Sequence, residues 1–401
     1  MPMSKTMKRV VAPLAIVLIL VPAMFFILAP RLIEQSMNRI EGPGTWPVSP
    51  AAAALHKRLT IVDLHADTLL WQRHIDEPST RGHVDLARLE AGNVALQVFS
   101  SVTKTPKGQN YDSNTDKTDN ITALAIGQLQ PIKTWSSLLE RSLWHAEKLR
   151  RAQVASNGRL RLVRTSADLD RLLADRAAGR RVTGALLSVE GAQDLEGKAG
   201  NLDVLRAAGF RMIGLAHFFD NELAGSMHGE KKGGLTPFGL QIVRMMEDRG
   251  MVVDLAHSSH ATFADVMRIA RRPVVVSHGG VKGTCKTNRN LTDAELRALA
   301  ANGGVIGIGY WDAAVCGTTP SSTARAIVYA IGVAGVDHVA LGSDFDGSTT
   351  TGFDTAHIAA ITDVLLARGL SEGDIAKIMG GNAVRVLRAG LVPLNAAPMG
   401  R

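Results

Sequence analysis

Residues 59–68 read Leu-Thr-Ile-Val-Asp-Leu-His-Ala-Asp-Thr. Leu59, Ile61 and Val62 read as a short buried strand that ends on His65 and Asp67. Side chains along a strand repeat every two residues, so the imidazole of His65 and the carboxylate of Asp67 project to the same side. Such a pair at the end of a buried strand suits a transition metal such as zinc. The same ten residues also fit a strand that runs into a polar turn, with Asp67 capping the next segment. Recurrence of the pattern along the chain decides between the two.

Outward from this strand, apolar β-like runs alternate with helical patterns. Further strands are expected over residues 94–100, 182–189, 211–216, 251–255, 273–277, 304–309 and 338–341. Helical patterns cover residues 84–91, a long insertion at 121–155, 166–178 opening on Ser166 as N-cap, 236–250 with Pro237 in its first turn, 354–368 and 371–389. Eight strand-then-helix units predict an α/β fold, a closed parallel (β/α)8 TIM-like barrel over residues 59–390, followed by a tail at 391–401. The run Gly279-Gly280-Val281-Lys282-Gly283-Thr284 lacks the ending of a phosphate-binding loop.

In such barrels the active site lies at the C-terminal ends of the strands. The first strand ends at His65 and Asp67, the third at Glu190, the fourth at His217, the fifth at His257, the sixth at His278 and the eighth at Asp344. Any one of these fits a satisfied core or capping residue. Seven ionisable residues at the ends of six strands point instead to a shared metal site. Histidine, aspartate and glutamate without thiolate favour zinc, with manganese, cobalt or iron chemically adjacent. The set exceeds what one tetrahedral ion uses, so two ions are expected, with one as the alternative. A carboxylate such as Glu190 can bridge a pair, and a water between two such ions yields hydroxide near neutral pH.

Composition narrows the classes. The chain is 46% hydrophobic and 20% charged, which permits a large core and excludes global disorder. The net charge of +8 comes from scattered basic residues, and aromatics make up only 4%, so no nucleic-acid partner is expected. Cys285 and Cys316 form no CxxC motif, and their pairing is open at this level. Residues 10–30 carry no charge and would span roughly 30 Å as a helix, the thickness of a bilayer core. Lys5, Lys8 and Arg9 precede that run, so residues 1–9 are expected in the cytoplasm, 10–30 as a single transmembrane anchor, and the catalytic domain on the far, periplasmic or extracytoplasmic side. A cleaved signal peptide is the competing reading. Residues 31–58, rich in Pro, Gly and Ala, read as a linker.

The motifs DLHADT, SVEG, AHFFDNELAGS, GLTPFG, MVVDLAHSS, VVVSHGG, RNLTD and GSDFDG, in that order, resemble the renal or membrane dipeptidase family over about residues 59–387. The resemblance implies a membrane-anchored binuclear zinc hydrolase that cleaves small dipeptides, several relatives accepting a D-residue at the C-terminal position. It implies that His65 and Asp67 bind one Zn2+, that His257 and His278 bind the other, and that Glu190 and a water or hydroxide bridge them. His217 matches the histidine that polarises the scissile carbonyl, Arg289 the arginine that holds the substrate carboxylate, and Asp344 the proton-transfer residue. Asn221 either orients substrate or holds its own loop. A homodimer is frequent in the family.

Several features depart from that pattern. Gly279-Gly280 follows His278 where serine is common, and the loop 310–320 and the insertion 121–155 do not align. Mammalian relatives are lipid-anchored at the C-terminus, whereas this sequence ends Met-Gly-Arg, so attachment is expected at the N-terminus. Two other readings stand beside the dipeptidase: a barrel amidohydrolase acting on cyclic amides or lactones, and a catalytically silent binding barrel. Retention of every expected ligand and of Asp344 weighs against the last.

Overall fold

Eight parallel strands close into one ring in the computed structural model of the chain, which describes Met24 and residues 26–43 and 45–394. The staves are β1 Ile61–Ala66, β2 Val94–Val102, β3 Thr183–Glu190, β4 Phe210–Gly214, β5 Val252–Asp254, β6 Val275–Gly279, β7 Val305–Ile308 and β8 Val339–Leu341. Each pairs with the next in the chain, and Leu341 of β8 registers with Asp63 of β1 to complete the circle. Every stave is buried along its whole length, as parallel strands covered by helices require. Val62 and Leu64 join Leu96, Val98 and Leu186 in one apolar cluster with Leu172 and Leu387 of the surrounding helices. The alternate residues Asp63 and His65 therefore take the opposite side, towards the barrel axis.

Close backbone approach narrows the ring near its catalytic end. A Cβ on Gly342 would run into the Ser277 carbonyl and come within 3.1 Å of the Gly307 Cα. Two carboxylates fix the ends of the staves. Asp63 Oδ1 accepts from the amides of His65 (3.1 Å) and Ser343 (3.0 Å), tying β1 to the segment after β8. Asp254 Oδ1 accepts from the amides of Ala256 (3.0 Å) and Ser277 (2.9 Å), tying β5 to β6.

Several local expectations are corrected. The linker expected over 31–58 is packed structure. Residues 26–37 are helical, and α1 (Pro50–Arg58) opens on Pro50 behind Ser49, whose hydroxyl accepts from the Ala52 amide. Its alanines, which suggest a linker by composition, bury one face of a helix, with Ala52 and Leu55 in the core. The long insertion divides into α2 (Asn120–Gly127) and α3 (Leu138–Ala155), because Leu129 turns into the left-handed region (φ 52°) and Pro131 comes two residues later. Helix α4 (Ser166–Ala177) is capped by Thr165, which exchanges hydrogen bonds with Asp168 in a capping box, and not by Ser166. The helix expected at 371–389 is interrupted over Lys377–Gly381, where Gly380 lies against the Thr60 carbonyl with no room for a Cβ.

The helical residues 26–37 are bound to the barrel through charge. Buried Glu34 pairs with Arg73 and with Arg81 Nε (3.1 Å), and Arg73 also pairs with Asp346 and donates to the Val84 carbonyl. Burial alone would raise the Asp346 carboxyl, but Arg73 and His83 outweigh it and hold it below the usual carboxylate range. Asn38 Oδ1 accepts from the Ser348 amide (2.8 Å), and Arg39–Ile40 pairs in parallel with Thr350–Thr351. Breaking one partner of such a buried array costs about 3–5 kcal/mol. Residues 10–23 and 25 of the expected membrane span lie outside the described residues; among those described, no helix is long and apolar enough to cross a membrane.

Gly342→Ala is expected to destabilise the barrel by about 1–3 kcal/mol through overpacking, read as a lower thermal midpoint. An unchanged midpoint would show that the ring is not closely packed at that level.

Candidate metal and substrate site

The seven ionisable residues at the strand ends converge on one buried pocket. Glu190, the last residue of β3, stands at the centre. Its Oε1 lies 2.9 Å from His257 Nε2 and 3.2 Å from His278 Nε2. Its Oε2 lies 3.6 Å from His65 Nε2 and 3.5 Å from His217 Nε2. His65 Nε2 is also 3.4 Å from Asp67 Oδ2. One carboxylate thus faces four imidazoles, His257 and His278 through one oxygen and His65 and His217 through the other. The Nε2 atoms of His257 and His278 face one another at 3.0 Å. Beneath the rings, Ser277 Oγ is 2.9 Å from His278 Nδ1 and 3.5 Å from His65 Nδ1, which sets their rotation.

Backbone geometry aims two of the residues that lie beyond their staves. His257 and Asp344 both adopt left-handed conformations (φ 63° and 58°), uncommon for residues other than glycine. That turn brings His257 back over the pocket although it lies three residues past Asp254, where β5 ends. Asp344 joins His65 and Asp67 in a group whose ligand atoms all lie within 4.8 Å of one another. Gly347 packs closely on it, and a Cβ there would collide with the Asp344 carboxylate.

The electrostatics of the pocket are those of crowded, dry charge. Burial, then the Asp67 carboxylate, push Glu190 up to about 7. Burial pushes Asp344 well above the carboxylate range, with Asp67 and Glu190 adding to it. His217, His257 and His278 are held well below the usual imidazole value, chiefly by burial, so their neutral rings are favoured. For His65, burial opposes the charged ring, but Asp67 and Glu190 outweigh it and raise its pKa. Asp67 Oδ1 is buried with no hydrogen-bond partner. Neutral imidazoles, clustered carboxylates and an orphaned carboxylate oxygen fit divalent cations, with nitrogen and oxygen donors and no sulfur.

Arg289 lies at the edge of this cluster, fully buried. Its Nη2 donates to the His278 carbonyl (2.8 Å), its guanidinium sits 5.6 Å from the centre of the Trp311 ring, and its Nε has no partner. Among the described residues no carboxylate lies within ion-pair distance of it. Gly279 leaves it space, since a Cβ there would come within 3.2 Å of Nη1. Gly280 admits none either, because its Cβ would strike the Ala314 carbonyl, which accounts for glycine at both positions. The Cys285–Cys316 disulfide (Cα–Cα 5.4 Å) ties the loop carrying Arg289 to the loop carrying Trp311.

Asn221 is the one expected site residue that joins neither the ligand cluster nor the cavity lining among the described residues. Its Nδ2 donates to the Leu215 carbonyl (2.8 Å), and its Oδ1 accepts from the amides of Leu223 (2.9 Å) and Ala224 (3.0 Å), so it holds its own loop. Among the aromatic residues that line the cavity, Tyr111 and Trp311 stand beside Arg289. Tyr111, from the polar loop after β2, receives a hydrogen bond from Trp311 Nε1 (3.2 Å) and borders the pocket beside Arg289. No local pattern marks Tyr111; Trp311 falls in the loop 310–320, whose failure to align was its only signal.

A family model described as membrane dipeptidase (peptidase family M19) matches residues 50–393. The dipeptidase verJ of Clonostachys rogersoniana is 31% identical over 312 residues, covering 76% of this chain and 75% of that protein. The probable dipeptidase PvdM from Pseudomonas aeruginosa shares the fold with a TM-score of 0.72 at 20% identity, over 85% of this chain and 98% of that one. A metallo peptidase from Rhodobacter sphaeroides, liganded with a phosphinate mimic of the dipeptide L-Ala-D-Ala, gives a TM-score of 0.66 at 22% identity, over 83% and 99%. At such identities the two structures speak for the fold alone, while the family match spans the barrel from α1 to the last helix. The chain belongs to the membrane dipeptidase family, peptidase family M19.

Proposed function

We propose that this protein is a zinc-dependent dipeptidase with two ions per chain, acting on dipeptides that carry a free C-terminal carboxylate and tolerating a D-residue there. The observation that carries the reading is Arg289: a buried guanidinium with no carboxylate at ion-pair distance among the described residues, set beside a cluster of imidazoles and carboxylates. A buried, unpaired cation is costly, and a substrate carboxylate relieves it with a charge-assisted pair. The dipeptide mimic held by the Rhodobacter relative supports the substrate class and the D-residue.

His65 and Asp67 would hold one ion and His257 and His278 the other, with Glu190 shared. Bound there, the ions supply Lewis-acid polarisation and lower the pKa of water. The chain's own residues do the rest. Arg289 fixes the carboxylate and so sets the position of the peptide bond. His217 donates a hydrogen bond to the carbonyl oxygen as it gains charge. Asp344 accepts a proton from the attacking water and passes it to the nitrogen of the departing amine, the C–N bond breaking as the new C–O bond is retained.

An N-terminal membrane anchor in the part of the uncharged run 10–30 that precedes the residues packed on the barrel, with the barrel on the extracytoplasmic side, completes the proposal. The uncharged run 10–30 behind Lys5, Lys8 and Arg9 supports it, as does a disulfide, which persists in oxidising compartments. The protein should remain in the membrane fraction after alkaline carbonate washing, with Cys285 and Cys316 resistant to alkylation until reduced. Release by the wash would rule out the anchor.

Purified enzyme should carry about two zinc equivalents, lose activity to a chelator and recover it with zinc. A fully loaded protein inert towards a panel of L,L- and L,D-dipeptides would sink the assignment. Arg289→Ala should raise KM for dipeptides by about 30-fold or more, on the scale of losing a buried charge pair, with metal content intact. Asp344→Asn should instead lower kcat by about 10²–10⁴-fold. Were Arg289→Ala to leave dipeptide KM unchanged, a substrate without a carboxylate, such as a cyclic amide, would become the better reading.

A further inference from the structure

The cavity over the metal cluster is larger and more apolar than two small residues need. It encloses about 1100 Å3, at the upper end of the roughly 300–1,000 Å3 that holds a drug-sized ligand. Its polar side carries Arg289, Asp344, Glu190 and His217. Much of the rest of its lining is aliphatic and comes from two elements, beside the aromatic Trp71, Tyr111, Phe218 and Trp311 and polar residues of the surrounding loops. Pro30, Ile33 and Met37 line it from the helical residues 26–37, and Ile121 and Leu124 line it from α2. Positions 26, 30, 33 and 37 recur at helical spacing, so a single face of that helix is turned to the cavity. The two elements meet, since a Cβ on Gly127 would lie 3.9 Å from Pro30 Cγ.

Three observations give this wall a purpose. First, residues 26–37 precede the family match, which begins at residue 50. That half of the wall thus lies outside the residues the family model matches, whereas α2 lies within them. Second, the helix is held in place by the buried Glu34–Arg73–Asp346 array, and Asp346 lies two residues beyond Asp344. It is a fixed wall registered to the catalytic loop. Third, its place in the ring is set by topology. Arg289 is bonded to β6, and α2 comes after β2, four staves away around the eight-stave circle. A dipeptide whose carboxylate sits on Arg289 and whose peptide bond lies at the central cluster must send its N-terminal residue across the barrel, towards α2 and the helix.

We propose that residues 26–37 and α2 together form the pocket for the side chain of the substrate's N-terminal residue, and that this side chain is large and apolar. The proposal rests on the dipeptidase reading and deepens it. An aliphatic wall gains from removing apolar surface from water and offers nothing to a glycine or alanine side chain. Filling such a pocket changes transition-state affinity, so the preference is read in kcat/KM.

The test uses the full-length, zinc-loaded protein in detergent with three substrates, Phe-Ala, Ala-Ala and the reversed Ala-Phe. Phe-Ala should exceed Ala-Ala by about tenfold or more in kcat/KM. Ile33→Ser and Ile121→Ser, on the two separate elements of the wall, should each lower Phe-Ala by about tenfold and leave Ala-Ala and Ala-Phe within about twofold. Equal loss on all three substrates would mark a structural effect and overturn the proposal, as would a wild type indifferent to the N-terminal side chain. Selective loss of Ala-Phe would assign the wall to the other residue and overturn it as well. If the loaded wild type cleaves none of the three, nor any L,D-dipeptide, the dipeptidase reading itself fails and takes this pocket with it; turnover without discrimination refutes the pocket alone.

Discussion

The structure depends on the confinement of three carboxylates and four imidazoles in one dry volume. Asp67, Glu190 and Asp344 are all buried, and burial is the largest cause of the upward shift at both Glu190 and Asp344. Each buried ion carries a desolvation penalty of several kcal/mol, so such a cluster persists only where the scaffold leaves its members no alternative. The barrel meets that condition. Its staves are covered on both faces, Asp63 and Asp254 lock the strand ends through backbone amides, and Ser277 sets the rotation of two rings. The central position of Glu190, each oxygen towards two imidazoles, results from its place at the end of β3.

Around that centre the site is asymmetric. On one side Arg289 is presented by the β6 loop, backed by Trp311 and tied across a disulfide to the next loop. On the other side lies an aliphatic surface with no charge to offer. A ligand with an anionic end and an apolar end has one way to lie between them. Orientation is thus built in before any chemistry, which is how binding energy is converted into positioning. The left-handed residues His257 and Asp344 belong to the same design: both carry backbone strain that the surrounding loops over-determine.

The helical residues 26–37 change how the barrel should be viewed. In a closed ring of staves, the catalytic mouth is shaped by loops and by whatever packs upon them. Here a segment from before the barrel is pinned there by Glu34, Arg73 and Asp346, three residues from three distant parts of the chain. Variation in segments packed on the mouth is a route by which one reaction acquires different substrates without disturbing the cluster that performs it.

The sequence by itself determined the barrel and the residues that crowd its centre, because both rest on local periodicities. Strand-then-helix alternation specifies the parallel ring, and the two-residue repeat places His65 and Asp67 together; the strand endings supply Glu190, His217, His257, His278 and Asp344. Local signals misread α1 as linker, since alanine and proline serve either, and merged α2 with α3, since the turn at Leu129 leaves the hydrophobic pattern unbroken. Only the tertiary structure decided that Cys285 meets Cys316, that Asn221 uses its hydrogen bonds on its own loop, that Tyr111 reaches the pocket and that, among the described residues, Arg289 has no carboxylate at ion-pair distance. Each of those is a fact about groups brought together from separate loops, and no pattern along a single segment encodes which distant partner will fill, or leave empty, the space beside it.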